Sequence, residues 1–172
     1  MEVVKYTDSI LEEKLTRLMQ VYEKDILGMC FLYLHDLSLA EDATQETFFK
    51  AYKGLDRFRG ECSEKTWLVR IAINTCKDIR KSMWFRLVDR HMTLDHFPAA
   101  SIIPSVESIS LTIEIANLPR KYREIILLYY YQGMNLHEIA QILGISSPAA
   151  SKRLKQARHK LHLALEGGPQ DE

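Results

Sequence analysis

One stretch, residues 136–161, constrains the fold more than any other part of this chain: LHEIAQILGISSPAASKRLKQARHKL. Its first eight residues carry apolar side chains at three- and four-residue spacing, which is typical of one buried helix face. Asn135 and Glu138 have the spacing of a capping box at the start of this helix. Gly144 then provides a left-handed turn, and Ser147-Pro148 indicates the cap and first turn of a second helix. The stretch predicts a helix-turn-helix.

The second helix of this motif is strongly basic, with five bases and no acid between Lys152 and Lys160. Four apolar residues fall within about 60° of one another on a helical wheel and form a narrow core stripe: Ala150, Leu154, Ala157 and Leu161. Small residues near the start of such a helix approach bases, and arginines beside the stripe suit phosphates. The candidate DNA contacts are Ser147, Ala149, Ser151, Lys152, Arg153, Lys155, Gln156 and Arg158.

The alternative for this helix is a solvated basic face in a small helical bundle, because lysine and arginine commonly decorate exposed helix faces. The absence of acids and the glycine at the turn favour DNA. A helix-turn-helix alone does not distinguish a repressor, an activator or a polymerase subunit.

The composition is that of a globular protein, since 47% of the 172 residues are hydrophobic and 27% are charged. No stretch approaches the roughly 18 apolar residues of a membrane span, and the N-terminus lacks a secretory pattern. We therefore expect a cytoplasmic protein without membrane insertion. The three cysteines, Cys30, Cys62 and Cys76, form no CxxC pair, so reduced thiols are favoured over disulfides or a zinc ribbon.

The net charge of zero conceals a segregation along the chain. Acids and bases number 11 and 8 in residues 1–60, 4 and 7 in 61–92, 3 and 0 in 93–118, and 2 and 8 in 119–165. The connector, Phe85–Glu107, which has no base after Arg90, contains Pro98 and Pro104, which restrict any helix there to a short one. A helix is expected after it, from Leu118-Pro119 to Gly133.

These patterns predict an all-α protein with two small helical domains joined by an irregular linker. The expected boundaries are 1–84 for an N-terminal helical bundle, 85–107 for the linker, 108–166 for the helix-turn-helix domain and 167–172 for a flexible tail.

The first domain is expected to be entirely helical. Apolar residues recur at three- and four-residue steps from Ser9 to Leu34. Ser38 and Glu41 have the spacing of a capping box, which opens a second helix that ends near Gly54. A third helix begins after Ser63.

Several side chains in this domain admit a structural or a chemical explanation. Four aromatics at helical spacing are expected mostly in the core: Phe48, Phe49, Tyr52 and Trp67. Asp42 and Glu46 lie one turn apart, but no histidine or third carboxylate completes an acid pair or a metal site, so a solvated face is favoured. His159 and His162 form at most an incomplete two-ligand site. We expect no enzyme activity, cofactor or metal.

Set together, three ordered blocks resemble the bacterial sigma factors of the extracytoplasmic-function (ECF) group, in the sigma-70 family. The resemblance covers nearly everything from Leu18 to Leu165. Its most specific parts are EDATQETF at 41–48 with Ala51 and Tyr52, Phe58-Arg59-Gly60, Thr66-Trp67-Leu68 with Ile71-Ala72 and Asn74, Leu118-Pro119, Arg153-Leu154 and Ala157-Arg158.

The resemblance implies an RNA polymerase sigma factor that binds core polymerase and directs initiation at a stress- or signal-responsive regulon. The acidic second helix would dock on the coiled coil of the beta-prime subunit through Asp42, Gln45, Glu46 and Phe49. The residues implied at the minus-ten element, which is read as a single strand, are Arg59, Ser63, Arg70, Asn74, Lys77, Arg80 and Lys81. Within this set, the loop from Arg59 to Glu64 would capture a flipped base, Asn74 would meet its edge, and the later bases would hold phosphates.

The resemblance also implies that the last domain reads the minus-thirty-five element of promoter DNA as a duplex. The connector would run toward the RNA exit path, the beta flap would be a further polymerase contact, and an anti-sigma factor would be a partner. Many members of the group carry Thr-Val-Lys-Ser-Arg-Leu where this chain has AASKRL at 149–154, so the base preference does not carry over.

Other classes remain as alternatives. A stand-alone helix-turn-helix regulator usually gains affinity from a dimer, and this chain has no evident dimerisation helix. A response regulator would have an α/β receiver domain, which the helical first half does not resemble. A small metal or thiol enzyme would use His35 or the cysteines.

Overall fold

A computed structural model describes residues 2–84 and 106–166, and every regular element in these two ranges is helical. The all-α prediction is confirmed. The chain divides into two compact units between Leu87 and Val88. Residues 85–105 of the predicted linker and the predicted tail at 167–172 lie outside the described residues. None of the helices in the described ranges is long and apolar enough to cross a membrane.

Over residues 2–84, the N-terminal unit contains three α-helices: α1 (Glu2–Leu34), α2 (Leu37–Gly54) and α3 (Glu64–Trp84). A short 3-10 turn, Leu55–Arg57, follows α2. The helix α1 begins seven residues before the predicted start at Ser9, whereas the predicted ends of α1 and α2 and the start of α3 agree with the structure.

The cap of α2 corrects the prediction at Ser38. Asp36 is the N-cap, since its Oδ1 accepts a hydrogen bond of 3.0 Å from the backbone N–H of Leu39. Both residue types cap helices well, and the chain reverses sharply at His35, whose φ is +61°. The helix therefore starts directly after this reversal, and Ser38 lies inside its first turn. Ser63 does cap α3, because its Oγ accepts from the N–H of Thr66 at 3.0 Å.

The core of the N-terminal unit lies between these three helices. α2 contributes small residues, Ala40, Ala43 and Ala51, each fully buried, and so allows its neighbours to approach closely. α1 contributes large residues such as Phe31 and Tyr33, also fully buried. Complete burial of a side chain of this size stabilises the fold by about 1.5–3 kcal/mol.

Two of the three cysteines belong to this core. Cys30 of α1 and Cys76 of α3 are fully buried, and Cys62 is half-buried. A hydrogen bond with Cys30, together with burial, raises the pKa of the Cys76 thiol. Cys76 therefore stays neutral, as expected for a reduced structural thiol.

Between residues 106 and 166, the C-terminal unit contains four α-helices: α4 (Val106–Asn117), α5 (Arg120–Ile126), α6 (Leu136–Leu143) and α7 (Ser147–Leu165). The helix predicted from Leu118 to Gly133 is present and differs from the prediction in two details. Pro119 occupies the N-cap of α5, and the chain continues from Ile126 into a π-helical turn, Leu127–Tyr131. The helix α4 precedes both and was not predicted.

The helix-turn-helix, α6 and α7, is confirmed. Asn135 accepts from the N–H of Glu138 at 3.0 Å, and Glu138 accepts from the N–H of Asn135 at 3.0 Å, so the capping box is complete. Gly144 has a φ of +65° and turns the chain. The N-cap of α7 is Ser146, whose Oγ accepts from Ala149 N–H at 3.3 Å, rather than the predicted Ser147. Pro148 at the second helical position needs no N–H partner, which suits this register.

Replacing Gly144 tests the turn. A Cβ at this position meets no atom within 4 Å, so the cost of Gly144→Ala comes from the left-handed backbone alone. We expect Gly144→Ala to lower the free energy of unfolding of the C-terminal unit by about 1–2 kcal/mol. Hydrogen exchange of the α6 and α7 amides measures this change. The control is Gly144→Asn, which tolerates the same φ and should cost less; equal stability of Gly144→Ala and the parent chain would contradict the account.

Candidate nucleic-acid interface

The exposed side of α7, which we call the α7 basic face, is set by what the helix buries. Ala150 and Ala157 are fully buried and Leu154 is 5% exposed, so this stripe faces α5 and α6. The other side is left to solvent. The structure places the predicted contacts there, with Arg153 half-buried and the others exposed: Ser147, Ala149, Ser151, Lys152, Lys155, Gln156 and Arg158.

Arg158 has a setting that sequence reasoning missed. Its guanidinium carbon lies 5.5 Å from the ring centroid of Tyr129 and 5.4 Å from that of Tyr130. These distances are within the range of cation–π attraction. The two rings restrict Arg158 beside the core stripe while Tyr130 remains 55% exposed. The three consecutive tyrosines at 129–131 are visible in the sequence, but the sequence does not show that two of them contact Arg158, which lies on another helix.

One side of α3 carries a second polar surface, the α3 polar face. Four predicted residues lie within about 60° of one another on the helix: Arg70, Asn74, Lys77 and Lys81. Arg80 lies to one side of this stripe and is half-buried. Asn74 is exposed and offers amide donors and an acceptor. The Nε of Arg70 is buried and has no hydrogen-bond partner among the described residues, so a donor there is unsatisfied.

The loop at 58–63 joins the 3-10 turn to the start of α3. Phe58 stacks on Trp67 with ring centroids 4.7 Å apart. Gly60 has a φ of +71°, and Arg59 beside it is exposed. Ser63 is exposed, although its hydroxyl already lies 2.8 Å from the Thr66 hydroxyl and caps α3.

The structure corrects the prediction that Trp67 lies in the core. The side chain is half-buried and packs against Phe58 of the loop. It therefore lies between the α3 polar face and the loop. A Cβ on Gly54 would lie 3.5 Å from Trp67 Cζ2, so the indole also covers the end of α2.

A third surface, the α2 stripe, consists of Asp42, Gln45, Glu46 and Phe49, all exposed on one side of that helix. Phe49 is 52% exposed, whereas its neighbour Phe48 is 3% exposed, so the expectation of a core role holds for Phe48 alone. The Lys53 Nζ lies 4.0 Å from the Phe49 ring centroid, and the Lys50 Nζ lies 3.6 Å from Glu46 Oε1. The stripe therefore presents carboxylates and an aromatic ring together.

Comparison with known proteins gives two family models that match the chain: Sigma-70 region 2 at residues 18–86 and Sigma-70 region 4 at residues 114–161. The RNA polymerase sigma-H factor of Pseudomonas aeruginosa is 31% identical over 159 residues, which cover 84% of this chain and 82% of the relative. The ECF RNA polymerase sigma factor SigW of Bacillus subtilis is 30% identical, over 86% of this chain and 87% of the relative.

Two solved structures share the fold. The sigma factor RpoE of Bartonella quintana, in complex with the anti-sigma factor NepR, gives a TM-score of 0.75 at 20% identity and covers 90% of this chain and 98% of its own. CnrH, in complex with the cytosolic domain of CnrY, gives a TM-score of 0.69 at 24% identity and covers 92% of this chain and 91% of its own.

Proposed function

Because the chain belongs to the sigma-70 family of RNA polymerase sigma factors, in its ECF group, we propose that its three exposed surfaces divide the work of initiation between them. As a sigma factor it is not an enzyme, and it directs core polymerase to promoters rather than acting as a stand-alone regulator. The division proposed here assigns the α2 stripe to polymerase, the α3 polar face with the 58–63 loop to the minus-ten element, and the α7 basic face to the minus-thirty-five element.

The α2 stripe is the proposed contact with the coiled coil of the beta-prime subunit. Asp42 and Glu46 supply negative charge for a basic partner, and Gln45 supplies an amide. Phe49 supports this role, because a ring that is half exposed on an otherwise polar helix side becomes buried when a partner docks.

The α3 polar face and the 58–63 loop are the proposed reader of the minus-ten element. Asn74 pairs with the edge of an unstacked base, and Arg59 and Ser63 lie in the loop that receives it. Arg70, Lys77, Arg80 and Lys81 hold the phosphates. The position of Arg70, Asn74, Lys77 and Lys81 on one side of α3 supports this proposal, since one DNA strand can then contact base reader and cations together.

The α7 basic face is the proposed reader of the minus-thirty-five element, and it is the observation that carries the assignment of duplex DNA binding. The buried stripe points the opposite side outward, so Ser147, Ala149 and Ser151 at the start of the helix approach base edges. Lys152, Lys155 and Gln156 lie farther along this side, and Arg153 and Arg158 flank it toward the phosphates.

An anti-sigma factor is the proposed regulator, which makes the regulon responsive to a signal. Both solved structures of similar fold were determined with a bound partner, and the partner of RpoE is the anti-sigma factor NepR. The cytoplasm, where polymerase works, is the proposed location, and the beta flap is a second polymerase contact for the C-terminal unit.

Single substitutions should separate the two DNA readers. Asn74→Ala removes hydrogen bonds to a captured base, so it should reduce open-complex formation about tenfold while leaving polymerase affinity unchanged. Lys152→Ala and Arg158→Ala should instead weaken closed-complex binding, and this effect should disappear on DNA with a scrambled minus-thirty-five element. Permanganate reactivity of unpaired thymines measures opening, and competition for core polymerase measures affinity. Unchanged opening with Asn74→Ala would contradict the assignment of this residue.

The free chain should bind promoter DNA weakly. Its net charge is zero and its α2 stripe is acidic, so the phosphate attraction of α3 and α7 is partly offset until polymerase covers the stripe. We expect a Kd weaker than about 1 µM at physiological salt by fluorescence anisotropy. Nanomolar binding by the purified chain would show that promoter recognition does not require polymerase.

A further inference from the structure

A bridge from α1 reaches the loop at 58–63, although α1 carries none of the three surfaces described above. Arg17 Nη2 donates a hydrogen bond of 2.6 Å to Glu64 Oε1, across 47 residues of sequence. Glu64 is the first residue of α3 and directly follows the last residue of the loop, Ser63. The hydrogen bond to Glu64 and its negative charge raise the pKa of Arg17. The bridge therefore ties the C-terminal end of the loop to α1.

The N-terminal end of the same loop is tied to the same helix. Lys14 Nζ lies 5.7 Å from the ring centroid of Phe58, which in turn stacks on Trp67. Lys14 and Arg17 are three residues apart and thus neighbours on one side of α1. One turn of α1 holds both ends of the loop, while Arg59 and Gly60 between them are exposed.

The bridge is poorly suited to stabilising the fold as a whole. The Arg17 side chain is 51% exposed and that of Glu64 is 25% exposed, and ion pairs of this kind contribute little to global stability. Glu64 is also favoured at the start of α3 without Arg17, because the helix dipole attracts a carboxylate there. The effect of Arg17 is therefore local: it fixes the direction of the Glu64 side chain and neutralises its charge.

We propose that Arg17 is a positioning residue for promoter opening, which holds the 58–63 loop ready for a base and neutralises a carboxylate that would otherwise repel the promoter phosphates. This inference rests on the proposed function of the loop in receiving a minus-ten base. A loop fixed at both ends loses less conformational freedom when it binds, so its affinity for the base is higher than that of a free loop. Arg17 acts through Glu64 and does not itself contact DNA.

The test uses holoenzyme reconstituted from core polymerase and the full chain, with forked promoter DNA whose minus-ten element is single-stranded. The variants are Arg17→Ala, Glu64→Gln and the two combined. Lys24→Ala is the matched control, because it removes another exposed base from α1. Each protein is tested on intact DNA and on DNA with an abasic site at each minus-ten position in turn.

We expect Arg17→Ala to weaken binding of the intact fork about three- to fivefold, the change that corresponds to a strong exposed ion pair. Adding Glu64→Gln should restore much of this loss, because it removes the uncompensated carboxylate. Lys24→Ala should have no effect. The melting temperature and the affinity for core polymerase should stay unchanged in Arg17→Ala and Lys24→Ala, which a merely structural role of Arg17 would not predict.

Two results would overturn the proposal, and they differ from the result that would overturn the function of the loop. An equal loss from Arg17→Ala with and without Glu64→Gln would mean that Arg17 contacts DNA directly. The second result is that abasic sites in the fork weaken binding of the parent chain, but Arg17→Ala does not weaken binding to the intact fork. The loop would then need no support from α1. If no abasic site weakens the parent chain, the loop receives no base and the proposed function itself fails at this site.

Discussion

The packing of Ala150, Leu154 and Ala157 against the neighbouring helices is the contact on which the proposed DNA-reading side of the C-terminal unit depends. A helix of this length has a single stripe to bury, and this stripe is narrow because two of its members are alanines. The close approach that alanine allows fixes the rotation of α7. The lysines of the helix are then exposed and Arg153 and Arg158 lie beside the buried stripe, so the basic face follows from apolar packing rather than from any contact with DNA.

The same constraint shapes the N-terminal unit. The small buried residues of α2, Ala40, Ala43 and Ala51, fix the rotation of that helix, and Phe48 fills the space beside them. This rotation leaves Phe49 outside, next to the acidic residues. In α3 the buried side, with Leu68 and Ala72, turns Asn74 and its basic neighbours outward. The proposed contacts with polymerase and DNA are thus made by the helix sides that are not buried in the core.

Features that depend on a few adjacent residues were predictable from the sequence. The capping box at Asn135 and Glu138 and the left-handed Gly144 are local, and their chemistry permits few alternatives. The choice of Asp36 over Ser38 was not predictable, since both residues can cap and the reversal at His35 decides between them. α4 was missed because its apolar residues alternate from Ile109 to Ile115, which is a strand pattern, and only the packing of this helix against α5 and α7 overrides it.

The surfaces were predictable as sets of residues, but their details depend on contacts between helices. The sequence could not show that Tyr129 and Tyr130 hold Arg158, or that Arg17 reaches Glu64, because these partners are distant in the chain.

The central claim is that two DNA readers in one chain act together when polymerase carries them. Run-off transcription of genomic DNA by core polymerase, with and without the protein, tests this claim most directly. The account predicts new start sites that share two upstream elements; starts that share only one element, or no new starts, would contradict it.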